Sequence, residues 1–446
     1  MPTKEELLAK SKKPAEDAMR LHPFYRGKIE TTVKCRIRDL NDFAIWYTPG
    51  VASSCMAIHK DPELVYSHTS KWNTVAVVSD GSRVLGLGDI GPKAGLPVME
   101  GKALLYKYLG GVDAVPLMLN CKNADDIIRT VQFLQPGLGG VNLEDIAQPK
   151  CFKILDTLRE SCEIPIWHDD QQGTATVTLA GLINALKIVK KKIGQVQIAF
   201  IGTGAANVAC GRMIMAYGAN PELCYFVDSR GILHKGRTDI AEKKADFPDK
   251  FRICNTTNKE QRKGGPADAI RGCDVLIGLS IPGPDTIKKE WIKTMGKDSI
   301  VFSCANPIPE IYPWDAKEAG AVVVATGRSD FPNQVNNSLG FPGIFRGTLD
   351  VRAHTITDEM CIAAAEELAK MAEEKGLNPD YILPDMDDWE VFPREAAAVA
   401  RKAQEQGLAK IKISYEDELK QASEIIKRSR NLTQDMMKQG YIPHAE

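Results

Sequence analysis

Between Val196 and Asp228 the sequence changes its apolar period twice. A buried-strand run, VQIAFI, is followed at once by Gly202-Thr203-Gly204, then a helical pattern to Tyr217 with Gly218 as its stop, then a second apolar run that closes on Asp228. Two neighbouring strands joined through a helix lie parallel, because a parallel pair needs a long crossover. The stretch therefore predicts a βαβ unit and an α/β fold, with ligands expected beyond the carboxyl ends of the strands.

The same texture extends in both directions. Strand candidates at 274–278, 300–303 and 321–325 alternate with helical segments, which predicts a doubly wound, Rossmann-type domain. A helix pattern from Thr174, ending in Lys190-Lys191-Lys192, joins it to an earlier α/β region. There, strand candidates at 114–118 and 164–167 alternate with helices at 124–135 and 149–160. Two β-branched runs flank Asp80-Gly81 within TVAVVSDGSRVLGL, which predicts a hairpin closed at that pair. Beyond Thr357 the pattern is mostly helical and is expected to pack back on the first region. The expected division is 1–173, 174–340 and 341–446, and 446 residues have room for two or three such domains.

Composition narrows the function. Hydrophobic residues make up 43% and charged residues 26%, as in an ordinary globular protein. The net charge of −1 gives no electrostatic case for nucleic acid or a membrane surface as partner. The opening MPTKEELLAKSKK is charged where a signal peptide is apolar, and no apolar run approaches the roughly 18 residues of a membrane span. Eleven scattered cysteines, none at C-x-x-C spacing, suggest reduced thiols. A cytoplasmic protein is expected.

Gly202 and Gly204 suit a loop whose backbone approaches a pyrophosphate, with the charge met by a helix N-terminus. Ala205 and Ala206 are small enough for close packing, whereas the usual third glycine is replaced by Asn207. Asp228 lies 24 residues after Gly204, near the distance at which an acid accepts from ribose hydroxyls. That favours NAD, although Arg230, two residues on, favours NADP. Two acidic pairs, Glu144-Asp145 and Asp169-Asp170, stand near predicted strand ends. They suit a hard cation such as Mg²⁺ or Mn²⁺, or equally the capping of the helices that follow. His168 is a candidate base or ligand by type, or a structural side chain at a strand end.

The stretches YTPGVA, SDGSRVLGLGDIGPKAGLPVMEGKALL, NLEDI, HDDQQGTA, ANPIPE and SDFPNQVNNSLGFPGIFRG occur in that order, and together they resemble the malic enzymes of the short, prokaryotic type. The resemblance implies an N-terminal substrate and metal domain followed by an NAD(P)-binding domain. It implies metal-dependent oxidative decarboxylation of L-malate, through oxaloacetate, to pyruvate and CO2. Tyr47 then matches the acid that protonates the enol, Lys102 the general base and Asp169 its neighbouring acid. Arg83 matches the arginine that holds a malate carboxylate, and Asn306 and Asn337 match asparagines near nicotinamide and substrate. Glu144, Asp145 and Asp170 match the metal ligands. A nearby cation and burial are expected to lower the pKa of Lys102, with Asp169 opposing part of that shift. Asn207, where relatives commonly carry glycine, is expected to crowd the phosphate loop. The resemblance further implies a homodimer or higher homo-oligomer. Competing functions on the same scaffold are a malolactic-type lyase, an oxaloacetate decarboxylase and a catalytically silent nucleotide sensor.

Overall fold

The computed structural model describes residues 4–445; the first three residues, part of the charged opening stretch, and the last one lie outside the described residues. Two sheets organise the chain. β1 (Thr74–Ser79), β2 (Asp113–Met118), β3 (Gly140–Leu143) and β4 (Ile166–His168) form a parallel sheet in the order β2-β1-β3-β4. β5 (Ile198–Ile201), β6 (Cys224–Asp228), β7 (Gly231–Ile232), β8 (Val275–Gly278), β9 (Ser299–Ser303) and β10 (Ala321–Thr326) form a second, in the order β10-β9-β8-β5-β6-β7. Only the short edge strand β7 runs antiparallel there. The βαβ unit read from Val196 to Asp228 is β5, the helix Ala205–Ala216 and β6.

The hairpin expected at Asp80-Gly81 does not form. β1 is flanked on both edges by parallel neighbours, β2 and β3, so no edge is vacant for a returning strand. The chain instead leaves the sheet through a loop in which Val84 and Gly88 make a single bridge, and then enters the helix Gly91–Gly110.

The helix Thr174–Ile188 is buried at every position from Ala175 to Leu186, as its nearly uniform apolar sequence requires. Its N-terminus follows β4 directly, and its C-terminus leads to β5, so one buried rod carries the chain from one sheet to the other. All ten residues of the helix Phe341–Asp350 are buried as well. The C-terminal helix Tyr415–Lys438 returns to the first sheet's side: Ser429 Oγ donates to Lys107 O at 2.7 Å, and the Arg430 guanidinium lies 4.5 Å from the Tyr108 ring. All eleven cysteines are free thiols. Among the described residues no helix is long and apolar enough to cross a membrane.

This return buries charge. Arg346 is fully buried, its Nε donates to Asp350 Oδ2 at 2.8 Å, and the guanidinium also reaches Asn73. Glu418, from the C-terminal helix, is buried beside Asp350, and only as a neutral acid can it donate to that carboxylate. Burial, then the Asp350 charge, pushes the Glu418 carboxyl up to about 9. A folded-state pKa above the unfolded value means that stability is full below about pH 4.5 and is lost as pH rises toward 9. Glu418→Gln removes this loss, so the variant's melting temperature should exceed that of wild type at pH 8 and converge with it near pH 5. The slope is bounded at about 1.4 kcal/mol per pH unit, and parallel melting curves at all pH values would refute the assignment.

Candidate active site

β3 and β4 are neighbours, so the acids that follow them meet at one end of the sheet. Glu144-Asp145 leaves β3, and Asp169-Asp170 leaves β4 inside a five-residue π-type turn, Asp169–Gly173. Helix capping is not what these acids do: the helix at Thr174 begins on Gly173 with no side-chain cap. Asp170 Oδ2 accepts instead from the Asp145 N–H at 2.9 Å. Asp145 sits at φ +54°, and its Oδ1 accepts from the Leu85 N–H at 3.2 Å.

Glu144, Asp145 and Asp170 each present a carboxylate oxygen within 4.8 Å of the others. Asp145 Oδ2 is buried with no hydrogen-bond partner. Burial raises the pKa of all three, well above the ordinary value for Glu144 and to about 8 for Asp145, where the neighbouring acids add to it; at Asp170 the Lys102 charge, the Asp145 N–H and Arg83 oppose the rise. Three hard oxygens pressed together with an orphaned lone pair fit a divalent cation of the Mg²⁺ or Mn²⁺ kind.

Lys102 projects from the helix Gly91–Gly110 on the same buried face as Met99 and Tyr106. Its Nζ lies 2.6 Å from Asp169 Oδ2, 3.2 Å from Glu144 Oε1 and 4.4 Å from the Phe341 ring centroid. An unpaired buried ammonium costs several kcal/mol, so this pairing is what lets the side chain stay charged. Burial favours the neutral amine, but the charges of Asp169 and Glu144 outweigh it and the pKa rises above the ordinary lysine value. The expected lowering rests on a cation beside the amine; the two acids by themselves act in the opposite direction, as expected in part for Asp169.

Arg83, Lys102, Glu144, Asp145 and Asp170 line one cavity of about 550 Å³, which continues past Asn306 and Asn337 to Gly204, Ala205 and Ala206. Asn336 also lines it, but its Oδ1 is used by the Ser338 N–H, whereas the Asn337 side chain packs on Gly173. Asp169 lies fully buried behind Lys102. His168 is buried and neutral, its pKa lowered to about 4 by burial, with Nδ1 3.7 Å from Asp170. Tyr47 is elsewhere. It ends the short helix Leu40–Trp46, is 72% exposed and does not line the cavity.

The dinucleotide loop departs from the sequence expectation at one point. Gly202, at φ +90°, is required, since a Cβ there would lie 2.7 Å from the Leu279 carbonyl. Asn207 does not crowd the loop: its Nδ2 turns inward and donates to the carbonyls of Ile201 and Gly202 at 2.9 and 2.8 Å. The close packing that a third glycine provides comes one turn later, at Gly211, where a Cβ would meet the Phe226 ring at 2.3 Å. The spacing of Gly211 on the helix face was the available signal. Asp228 and Arg230 share a separate pocket of about 160 Å³. Both Asp228 oxygens are held by Arg237, at 3.0 and 2.9 Å, with Lys250 at 4.0 Å.

A parallel-sheet substrate region, an acid cluster suited to a cation and a dinucleotide loop on a doubly wound sheet define a nucleotide-dependent oxidoreductase. Residues 26–159 match the family described as malic enzyme, N-terminal domain, and residues 171–404 match malic enzyme, NAD binding domain. The chain belongs to the malic enzyme family. A bifunctional malic/malolactic enzyme of Bacillus subtilis is 47% identical over 94% of this chain and 98% of its own length. An NAD-dependent malic enzyme of Geobacillus stearothermophilus is 48% identical, covering 86% of this chain and 78% of its own, and an NADP-dependent one of Halomonas elongata is 42% identical, covering 86% and 92%. The crystal structure of the Entamoeba histolytica malic enzyme superposes with a TM-score of 0.97 at 49% identity, over 100% of this chain and 94% of that one.

Because Asn207 ties the end of β5 to the loop, Asn207→Ala should weaken dinucleotide binding by about 5- to 30-fold, the worth of one or two buried hydrogen bonds. Asn207→Gly should weaken it in the same direction. Quenching of tryptophan emission on NADH titration measures this, and tighter binding by the glycine variant would restore the crowding explanation.

Proposed function

We propose that this chain carries out oxidative decarboxylation of L-malate to pyruvate and CO2, with reduction of NAD or NADP and with Mg²⁺ or Mn²⁺ held by Glu144, Asp145 and Asp170. The carrying observation is a single cavity on which an acid-paired lysine, a three-carboxylate cluster and a dinucleotide loop all open. When bound, a cation held by Glu144, Asp145 and Asp170 would supply Lewis-acid stabilisation of negative charge on oxygen, and a dinucleotide at the Gly202–Gly204 loop would supply the hydride acceptor.

The chain's own side chains orient the substrate and move its protons. Arg83, which lines the cavity, is placed to grip a carboxylate through two parallel N–H bonds. Asn306 and Asn337 offer amides along the wall between substrate and nicotinamide. Lys102 passes one proton to Asp169 Oδ2, 2.6 Å away, and its neutral amine then takes the hydroxyl proton of malate. Departure of CO2 leaves an electron pair on C3, which the Tyr47 phenol protonates to give pyruvate.

Tyr47 reaches a cavity only if its segment is brought to one. That segment carries large apolar side chains in water, with Leu40 83% and Val33 70% exposed, and its ties to the rest of the chain include Lys28 Nζ to Pro97 O at 2.9 Å. Such a surface suits a second copy of the chain, so the reading is a homodimer in which each arm supplies Tyr47 to its partner's cavity. At the ribose end, Asp228 can accept from ribose hydroxyls, yet Arg237 and Lys250 cancel its charge and Arg230 opens on the same pocket. NAD is therefore preferred over NADP by a small factor, within about tenfold in kcat/KM.

With L-malate and Mn²⁺, reduced dinucleotide should appear one-for-one with pyruvate. Lactate without free NADH would favour the lyase activity that the name of the Bacillus relative includes. Lys102→Ala should lower kcat by about 10²- to 10⁴-fold and leave dinucleotide affinity unchanged. Mixing Lys102→Ala with Tyr47→Phe protein should restore about a quarter of wild-type activity after random subunit exchange, since one cavity per hybrid is then intact. No restoration in demonstrated hybrids would place Tyr47 in the cavity of its own chain.

A further inference from the structure

We propose that Asn142 and Trp167 are a matched pair of positioning residues, each holding the acid two residues further along its own chain so that one oxygen of each acid faces Lys102. This rests on Lys102 being the base of the proposed reaction. Asn142 on β3 and Trp167 on β4 are direct partners across the parallel ladder, and both are fully buried. Each donor is the penultimate residue of its strand and each acid lies just beyond the strand's end, two residues on, which brings donor and acid together. Asn142 Nδ2 donates to Glu144 Oε2 at 2.8 Å, and Trp167 Nε1 donates to Asp169 Oδ1 at 3.1 Å. The oxygens left over, Glu144 Oε1 and Asp169 Oδ2, are the two that meet the Lys102 ammonium.

A carboxylate has two equivalent oxygens and turns about its own bond, so an unheld acid offers its partner a changing geometry. One N–H on each acid removes that freedom, and displacements near 1 Å are already costly to a reacting group. The device is tied to the Lys102 helix as well. Tyr106, one turn after Lys102, donates its hydroxyl to Asn142 Oδ1 at 3.1 Å, which fixes the amide with its NH2 toward Glu144. The indole is wedged edge-on against Phe345, and Phe345 against Tyr106. Sheet, helix and acids thus form one locked unit around the ammonium.

Trp167→Phe keeps one aromatic ring and removes the pyrrole ring with its N–H; Asn142→Leu keeps the approximate shape and removes the amide. Both should lower kcat for malate oxidation by about 10- to 100-fold while KM for NAD stays within about twofold. Mn²⁺ titration by electron paramagnetic resonance, without substrate, should separate them. Asn142→Leu weakens binding by about 10- to 100-fold, because Glu144 is a ligand, and Trp167→Phe leaves it unchanged. In an Asp169→Asn background Trp167→Phe should have no further effect on kcat. Wild-type kcat in Trp167→Phe, an equal further loss in the Asp169→Asn background, or unchanged Mn²⁺ affinity in Asn142→Leu would each overturn the proposal. If Asn142→Leu does not fold, Tyr106→Phe replaces it, with a smaller weakening of Mn²⁺ expected and no change counting against. Should the wild type itself fail to oxidise malate, the proposed function fails, while the Mn²⁺ titrations still decide the role of Asn142.

Discussion

A buried ammonium held between two buried carboxylates is the interaction on which the site depends. Lys102 could not remain charged in that environment without Asp169 and Glu144, and those acids could not remain so close without it. The three groups come from three places, the helix Gly91–Gly110 and the segments that follow β3 and β4. Their meeting therefore requires that the first sheet and its covering helix already be in register.

Parallel strand order supplies that register. In the sheet β2-β1-β3-β4, β3 and β4 are neighbours with carboxyl ends on the same side, so the four acids that follow them converge at one end of the sheet. The phosphate loop also follows a central strand of its sheet, β5, and the buried helix Thr174–Ile188 fixes the two sheet ends against one cavity. The C-terminal helix then braces the Lys102 helix from behind, through Ser429 and Arg430. Its docking places Glu418 against Asp350, an unfavourable neighbourhood that only protonation relieves.

Most of the candidate site was legible residue by residue, because the acid cluster, the lysine beside it and the glycine turn sit in short contiguous motifs such as NLEDI, HDDQQGTA, MEGKALL and Gly202–Gly204. Other features were hidden. Asp80-Gly81 has the chemistry of a hairpin turn, and only the occupancy of both edges of β1 tells the chain not to make one. Asn207 reads as an obstruction until its amide is seen to turn into the helix–strand junction. Trp167 and Asn142 look like ordinary buried strand residues, since nothing local marks them as donors to the acids two positions on.

The sequence by itself determined the α/β alternation, the βαβ unit and the identity of the acids, because these are set by local periodicity and by residue type. Tertiary structure decided which way each group's proton affinity moves and which groups share a cavity. The Lys102 pKa is raised because acids at the ends of two neighbouring strands, far from it in the chain, flank it, and Tyr47 lies in solvent because its segment finds few partners within its own chain. Charge and exposure are properties of surroundings, and surroundings exist only once segments far apart in the chain have been packed together.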